Sequence, residues 1–175
     1  MDINLSRLRA LEPQFPSHVE LLYSNTHTVR KEISRADLVI GALLVPGAKA
    51  PKVITEDMVR SMKKGSVIVD VAIDQGGCVE TSRPTHHSNP TFVRHGVIHY
   101  CVTNMPGAVA RTSTYGLTNA TLPYVRAVAR LGWKDACRHD AALALGLNLA
   151  GGQVVHPAVA EAFGLSRLPS DSVLG

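Results

Sequence analysis

Hydrophobic and polar positions along the chain alternate between a helical period and a strand-like period. Residues 5–11 carry leucines at helical spacing behind Asn4, which predicts a capped helix. Residues 18–23 form a short β-type run, and residues 27–35 return to helical spacing. This alternation predicts an α/β fold rather than an all-helical or all-β one.

Three apolar runs predict the strands of a parallel sheet, over residues 37–45, 66–72 and 97–102. The first is apolar almost throughout, which is typical of a strand buried on both faces. Between the first two runs, Thr55 caps a predicted helix that reaches residue 62, with acidic residues in its first turn. Strands and helices in this order indicate a doubly wound parallel sheet.

The segments that follow the three predicted strands have loop chemistry. They cover residues 43–49, 73–77 and 103–107, and each is rich in Gly, Pro, Asp or Asn. Ligands of doubly wound sheets bind outside the carboxyl ends of the strands. The sequence therefore predicts a binding site that is formed by these three strand exits.

Beyond residue 107 the pattern is helical. A long apolar-faced stretch covers residues 111–131, where Pro123 predicts either a kink or a break, and Gly132 ends it. A short helix over 140–147, a strand over 153–155, a last helix over 157–163 and a loose polar tail from residue 166 are expected after it. The predicted fold class is α/β, an incomplete Rossmann-like doubly wound parallel sheet followed by a C-terminal helical extension.

Composition narrows the class of protein. A chain of 175 residues can form one sizeable domain with an extension, and its 5% aromatic content means that aliphatic side chains form the core. The net charge of +4 comes from scattered basic residues, so no nucleic-acid partner is expected. With no apolar run of about 20 residues and no signal-peptide pattern, no membrane association and a cytoplasmic location are expected.

The residues that could bind a metal lack the spacing for it. Cys78, Cys101 and Cys137 are far apart and odd in number, which favours buried, reduced thiols. His86 and His87 have no Cys or carboxylate at ligand spacing, so surface or supporting roles are favoured and no metal is expected.

A dinucleotide-binding unit ordinarily begins with a strand, a GxGxxG turn and a helix, and an acidic residue follows about 20 residues later. Asp2 precedes a helix, where that acidic residue would stand, and the turn is expected upstream of Met1. The glycine pairs at 76–77 and 151–152 have neither the spacing nor the helix context. On local grounds alone, Asp2 is equally well explained as a solvated helix cap.

Residues 36–52, 66–78 and 103–114 resemble three segments of the alanine dehydrogenase and proton-translocating transhydrogenase family, in the same order. The Arg-Pro-Thr-His-His stretch at residues 83–87 resembles a further segment of that family. The resemblance covers essentially the whole chain. The Asp-Gln-Gly-Gly-Cys form at residues 74–78 is closer to the alanine dehydrogenase branch.

The resemblance implies NAD as cofactor and assigns residues to it. Asp2 matches the carboxylate that hydrogen-bonds the adenosine ribose, which favours NAD over NADP, and Arg7 and Ser24 match further adenosine contacts. Leu43 and Leu44 would lie against the cofactor at the first strand exit. The nicotinamide side would consist of Val71, Asp74, Val102, Asn104 and Met105.

Asp74 is the catalytic residue that the resemblance implies, acting with a histidine from outside this chain. Amino-acid oxidation needs a base or hydrogen-bond acceptor near the substrate amine, and Asp74 follows a buried strand from which it could project into a cleft. Alternatively, Asp74 caps a turn over Gly76 and Gly77. Asn104 could bond a carboxamide or simply form a turn.

The resemblance implies the C-terminal part of an NAD-dependent dehydrogenase that oxidises L-alanine to pyruvate and ammonia and forms NADH. Residues 1–110 would be a partial NAD-binding domain, and residues 111–175 a helical linker with the C-terminal part of the substrate domain. Family members of this kind form homo-oligomers, so a homo-oligomer is expected of the intact protein.

The family's substrate-binding Lys, Arg and His have no counterpart in this chain, and neither does the pyrophosphate turn. The chain is therefore not expected to turn over alanine by itself, and a complementing N-terminal polypeptide would be needed. Two alternatives stay open, a non-catalytic remnant of an interrupted gene and a transhydrogenase-type NAD-binding subunit.

Overall fold

A computed structural model describes residues 1–45 and 49–175 of the chain. It contains two compact units, and each is described by itself. The first comprises Met1–Leu44 and Lys49–Asn104, and the second contains Met105–Gly175. The centre of the first predicted strand exit, residues 46–48, lies outside the described residues.

The helices of the first unit begin where the sequence places capping side chains. They are α1 (Leu5–Leu11), α2 (Thr26–Arg35) and α3 (Glu56–Arg60). In each, a side-chain oxygen just before the helix accepts a backbone N–H of the first turn, which removes an unpaired donor. The capping residues are Asn4, Asn25 and Thr55. The predicted caps at Asn4 and Thr55 are confirmed.

A four-stranded sheet forms the centre of the first unit. Its strands are β1 (Leu38–Gly41), β2 (Val67–Asp70), β3 (Thr91–Arg94) and β4 (Val97–Tyr100), in the order β1-β2-β4-β3. The first, second and fourth run parallel, whereas β3 is antiparallel to β4. The Rossmann-like α/β class is confirmed, with one antiparallel strand that the sequence pattern did not predict.

The prediction that residues 37–45 form a strand buried on both faces is wrong. The strand β1 has four residues, and Leu38 and Ile40 are 55% and 62% exposed, while Val39 packs against the core. In the described part of the chain, β1 lies at the edge of the sheet, and side chains on a strand alternate between faces. Hydrophobicity alone does not reveal which of the two faces is covered.

The predicted β-type run over residues 18–23 is also not a strand. Among the described residues, Tyr23 is the one member of this run in a β-bridge, which is parallel and pairs it with Asp2. The Asp2 N–H donates to the Leu22 carbonyl at 3.2 Å, and the Ser24 N–H donates to the Asp2 carbonyl at 2.9 Å. The start of the run is instead a turn, in which the Val19 N–H donates to the Pro16 carbonyl. The strand-like sequence does not form a strand, because few of its backbone groups are paired with another segment.

The hydrophobic core of the first unit lies between the sheet and its helices. Its buried members come from α2, α3, β2, β4 and the loops beside them. Met58, Val59, Ile68, Val79 and Val97 are fully buried. Aliphatic and sulfur-containing side chains form this core, as the low aromatic content predicts.

The second unit is mainly helical. The long helix α4 (Ala110–Leu131) passes through Pro123 without a break. The predicted loose tail is wrong, because residues 170–174 form a short helix whose end is bonded by Arg138. The remaining elements are α5 (Trp133–His139), α6 (Ala141–Leu145), β5 (Leu149–Ala150), β6 (Gln153–Val154), α7 (Pro157–Phe163) and α8 (Ser170–Leu174). Across the described residues, no helix is both long enough and apolar enough to span a membrane.

Candidate functional site

The carboxyl ends of the three parallel strands meet at one edge of the sheet. In the register of the sheet, Gly41 of β1 lies beside Asp70 of β2, and Val69 of β2 lies beside Tyr100 of β4. The segments that follow the strands therefore leave from the same edge, as predicted for the strand exits. In sheets of this type, that edge is where ligands bind.

The exit of β1 presents two leucines in different surroundings. Leu43 packs against the hydrophobic core, whereas Leu44 is 70% exposed. Most of the apolar surface of a leucine that is this exposed stays in contact with water. Leu44 therefore offers an apolar contact at the edge, and Leu43 supports the segment from beneath.

The exit of β2 is a 3₁₀ helix, Val71–Gln75, that ends in two glycines with left-handed backbone. The side chains of Val71 and Asp74 are exposed, while Ala72 and Ile73 turn into the core. The Gly76 N–H donates to Ile73 and the Gly77 N–H to Ala72, which closes the helix. The loop thus anchors itself with its apolar side chains and presents Asp74 to solvent.

A buried carboxylate that the sequence analysis did not single out lies beneath this loop. Asp70, fully buried, accepts hydrogen bonds from the backbone N–H of Cys78 at 3.0 Å and of Val79 at 3.2 Å. These bonds hold the far end of the glycine turn, so the carboxylate that caps the turn is that of Asp70. The available signal was an aspartate that ends an apolar strand directly before a glycine-rich loop.

Burial around Asp70 affects the neighbouring thiols. Desolvation by burial and, to a lesser extent, the charge of the adjacent Asp70 together raise the pKa of the Cys78 thiol to about 11. Burial likewise raises the pKa of the Cys101 thiol. All three cysteines are buried and unbridged, as the sequence predicted. The raised pKa values of Cys78 and Cys101 make these two thiols poor nucleophiles.

The exit of β4 holds Val102 and Asn104. Val102 is fully buried, in a parallel bridge with Thr85. Asn104 has a left-handed backbone with φ 56°, and His87 Nε2 donates to its carbonyl oxygen at 3.1 Å. A histidine that was expected to have a surface or supporting role therefore braces the turn at Asn104. The Asn104 side chain itself is exposed at the edge of the sheet.

The residues that match the adenosine side come together at the start of α1. Asp2 Oδ1 accepts the Asn4 N–H at 2.8 Å, and Asn4 Oδ1 accepts the Arg7 N–H at 3.0 Å. Ser24 is bonded to the Asp2 backbone through its own N–H. Asp2, Arg7 and Ser24 thus belong to one small cluster, in which the Asp2 carboxylate also serves as a local cap.

Two further predictions concern Met105 and metals. Met105 begins a 3₁₀ helix in the second unit and is partly exposed. Among the described residues, no group of three His, Cys, Asp or Glu side chains is arranged to hold a metal ion.

A cavity of about 700 Å³ runs along α4, and none of its lining residues is a predicted site residue.

The parallel strands, the exposed carboxylate at their carboxyl edge and the separate Asp2 cluster define a Rossmann-like α/β domain. The chain belongs to the family described as alanine dehydrogenase/PNT, C-terminal domain, whose model matches residues 1–157. The family resemblance predicted from the sequence is therefore confirmed.

Curated relatives include an alanine dehydrogenase of Halomonas elongata, 53% identical over 100% of this chain and 47% of the relative. One of Staphylococcus haemolyticus is 54% identical over 99% of this chain and 47% of its own length. The chain thus spans about half the length of the curated relatives that it matches.

Solved structures agree with this assignment. A structure titled L-alanine dehydrogenase matches with a TM-score of 0.80 and 54% identity, over 93% of this chain and 45% of the other. A transhydrogenase from Sinorhizobium meliloti matches with a TM-score of 0.58 and 27% identity, over 78% of this chain and 36% of the other. Of these two, the alanine dehydrogenase is the nearer, so the transhydrogenase alternative is not favoured.

Proposed function

We propose that this chain is the NAD-binding part of an L-alanine dehydrogenase. The overall reaction would convert L-alanine, NAD⁺ and water to pyruvate, ammonium, NADH and a proton. The observation that carries the proposal is the exposed Asp74 at the carboxyl edge of a Rossmann-like sheet, in a chain about half identical to alanine dehydrogenases.

The exposed surface at the sheet edge fits a dinucleotide. Leu44 and Val71, which are 70% and 46% exposed, offer apolar contacts of the kind that line cofactor sites. The Asp2 carboxylate accepts one local N–H and keeps further lone pairs for the hydroxyls of a ribose. These features support NAD as the cofactor, which supplies a hydride acceptor when it is bound.

The proposed contacts follow the predicted division of the site. Asp2, Arg7 and Ser24 bind the adenosine side, and Leu43 and Leu44 lie along the cofactor. The nicotinamide side is assigned to Val71, Asp74, Val102, Asn104 and Met105. Residues 1–110 would then contribute to NAD binding, and residues 111–175 to the linker and the substrate domain.

Asp74 is the proposed catalytic residue. An exposed carboxylate at the end of β2 can accept a proton or a hydrogen bond from the substrate amine as the Cα–H bond breaks and an imine forms. Water then adds to the imine carbon and ammonia leaves, which produces the keto acid. The alternative explanation of Asp74 was that its carboxylate caps the glycine turn. The carboxylate that caps this turn is that of Asp70.

Calorimetric titration with NAD tests the cofactor assignment. We expect the chain to bind NAD, and NADP more weakly because its phosphate meets the Asp2 carboxylate. Asp2→Asn should reduce this preference, whereas Asp37→Asn, the same change at an exposed carboxylate elsewhere in the unit, should not. Absence of NAD binding at millimolar concentrations would contradict the proposal and favour a non-catalytic remnant.

We propose that turnover needs residues from outside this sequence, supplied by a complementing polypeptide that binds L-alanine and pyruvate. The share of the relatives that the chain covers, 47%, supports this. The isolated chain should give no alanine-dependent NADH absorbance, and mixing with the complementary half of a relative should restore it. Production of NADH by the chain alone would overturn this part of the proposal.

We further propose that the protein forms a homo-oligomer. Large apolar side chains along α4 are exposed, and an exposed apolar surface of this kind favours association. They include Tyr115, Leu117, Leu122, Tyr124 and Val125. Sedimentation velocity measures this directly, and a purely monomeric protein at micromolar concentration would contradict it.

A further inference from the structure

The loop that carries Asp74 is anchored by a buried carboxylate that forms no ion pair among the residues that the structure describes. Asp70 is 0% exposed, and its hydrogen bonds come from the backbone N–H groups of Cys78 and Val79 and from the Cys78 thiol, at 3.5 Å. Burying a carboxylate is costly unless donors surround it. A carboxylate kept here therefore binds these donors strongly, because charge-assisted hydrogen bonds exceed neutral ones in strength.

Two glycines make room for this arrangement. A Cβ at Gly77 would lie 2.7 Å from Asp70 Oδ2, and the left-handed backbone there, with φ 75°, also disfavours other residues. A Cβ at Gly41, on the neighbouring strand, would lie 2.4 Å from the Cys78 sulfur. At Gly77 the backbone thus approaches the carboxylate so closely that a side chain is excluded, whereas at Gly41 a side chain would meet the Cys78 thiol that is bonded to the carboxylate.

The same loop is held from its outer side by the segment that precedes α3. Lys52 Nζ donates to the Gly76 carbonyl at 2.6 Å and to the Val79 carbonyl at 3.2 Å. The Ala50 N–H donates to the Gln75 carbonyl at 2.9 Å. Asp74 therefore stands between anchored backbone positions although its own side chain is exposed.

We propose that Asp70 is a positioning residue, which holds the Cys78 and Val79 amides and thereby sets the place of Asp74 and Val71 at the nicotinamide end of the site. The nicotinamide part of this inference rests on the proposed function, whereas the hold of Asp70 on the loop does not. Different measurements therefore test the two parts. Hydrogen exchange tests the hold on the loop, and nucleotide binding tests the effect at the nicotinamide end.

Hydrogen exchange with the full chain tests the hold on the loop. The Cys78 and Val79 amides should be protected in the wild type, and Asp70→Asn should accelerate their exchange at least about tenfold, because an amide faces them with its own N–H donors. The Ile98 amide, bonded to Ser66 in the sheet, should change much less. Asp37→Asn, at an exposed carboxylate paired with Lys63, is the matched control.

Binding of NAD and of ADP-ribose, which lacks the nicotinamide ring, tests the positioning. Asp70→Asn should raise the NAD dissociation constant about tenfold and leave that of ADP-ribose within about twofold. If the substitution prevents folding, Gly77→Ala provides the test, because its Cβ displaces the Asp70 carboxylate without removing the charge, and the same split is expected.

Three results would overturn the inference. They are unprotected Cys78 and Val79 amides in the wild type, unchanged exchange in the Asp70 variant, and equal weakening of NAD and ADP-ribose. If the wild type binds neither nucleotide, the proposed function fails, while hydrogen exchange still decides whether Asp70 holds the loop.

Discussion

The two units of the chain bury their apolar side chains to different extents. The main core cluster, with fully buried Met58 and Ile68, lies within the first unit. In the second unit, α4 has 22 residues and none is buried, and Leu117 is 68% exposed. A helix with apolar side chains exposed around it gains little from tertiary packing within its own unit. The first unit should therefore fold on its own core, whereas packing within the second unit should stabilise α4 only weakly.

Substitutions in the two units test this difference in apolar burial most directly. Ile68→Ala removes a fully buried side chain from the central strand and should lower the free energy of unfolding by about 3 kcal/mol. Leu117→Ala on α4 should change it by less than about 0.5 kcal/mol when it is measured on the monomer. Urea denaturation followed by circular dichroism measures both, and fluorescence of the single tryptophan, Trp133, follows the second unit. Equal costs for the two substitutions would contradict the difference in packing.

The second prediction concerns His99, a buried histidine of the first unit. His99 is fully buried, and its Nδ1–H donates to the Val97 carbonyl at 3.0 Å while Nε2 accepts from the Thr81 hydroxyl at 2.8 Å. Burial lowers the pKa of His99. The unfolded chain therefore binds a proton that the folded chain excludes, and stability present at neutral pH is lost as the pH falls below the ordinary histidine range.

We expect the free energy of unfolding to fall between about pH 7 and about pH 5, with a contribution from His99 of up to about 1.4 kcal/mol per pH unit. His99→Asn should flatten this slope, whatever it costs at neutral pH. His18→Asn, the same substitution at an exposed histidine of the same unit, is the matched control. Identical slopes in the wild type and the His99 variant would refute the assignment.

Local signals predicted much of this fold. Asn4 and Thr55 cap the helices that follow them, because a cap depends on residues only a few positions away. The long helix, predicted over residues 111–131 and observed over 110–131, followed from another local signal, the helical spacing of its apolar side chains. The strand β3 was missed, although His95 and Gly96 between β3 and β4 both have positive φ and form the two-residue turn of a hairpin.

Long-range partners decided what the sequence could not predict. The exposure of Ile40 depends on which strands lie beside β1, and a hydrophobic run does not contain this information. Asp70 was overlooked because its donors are eight and nine residues away and become visible only when the glycine turn is folded. Asp74 was predicted from the family resemblance, and its catalytic role stays a proposal.

The smallest expected effect concerns the ion pairs on the surfaces of the two units. In the first unit, Glu56 Oε1 accepts from His95 at 2.5 Å, Arg94 at 3.0 Å and Arg60 at 3.2 Å, which joins α3 to the β3–β4 hairpin. The hydrogen bonds from His95 and then Arg94 lower the pKa of Glu56 to about 2. In the second unit, Asp135 pairs only with Arg138 of its own helix among the described residues.

Glu56→Gln should lower the urea midpoint slightly at neutral pH, and Asp135→Asn should lower it less, because the Asp135 pair adds nothing between distant segments. Since the pKa of Glu56 is lowered on folding, its contribution is complete above about pH 4.5 and is lost as the pH falls towards 2. Added salt should shrink the difference as well, because these charges are partly exposed. Equal midpoint shifts for the two variants would mean that the Glu56 network acts only as a local pair, and the core would then be the one difference in packing between the two units.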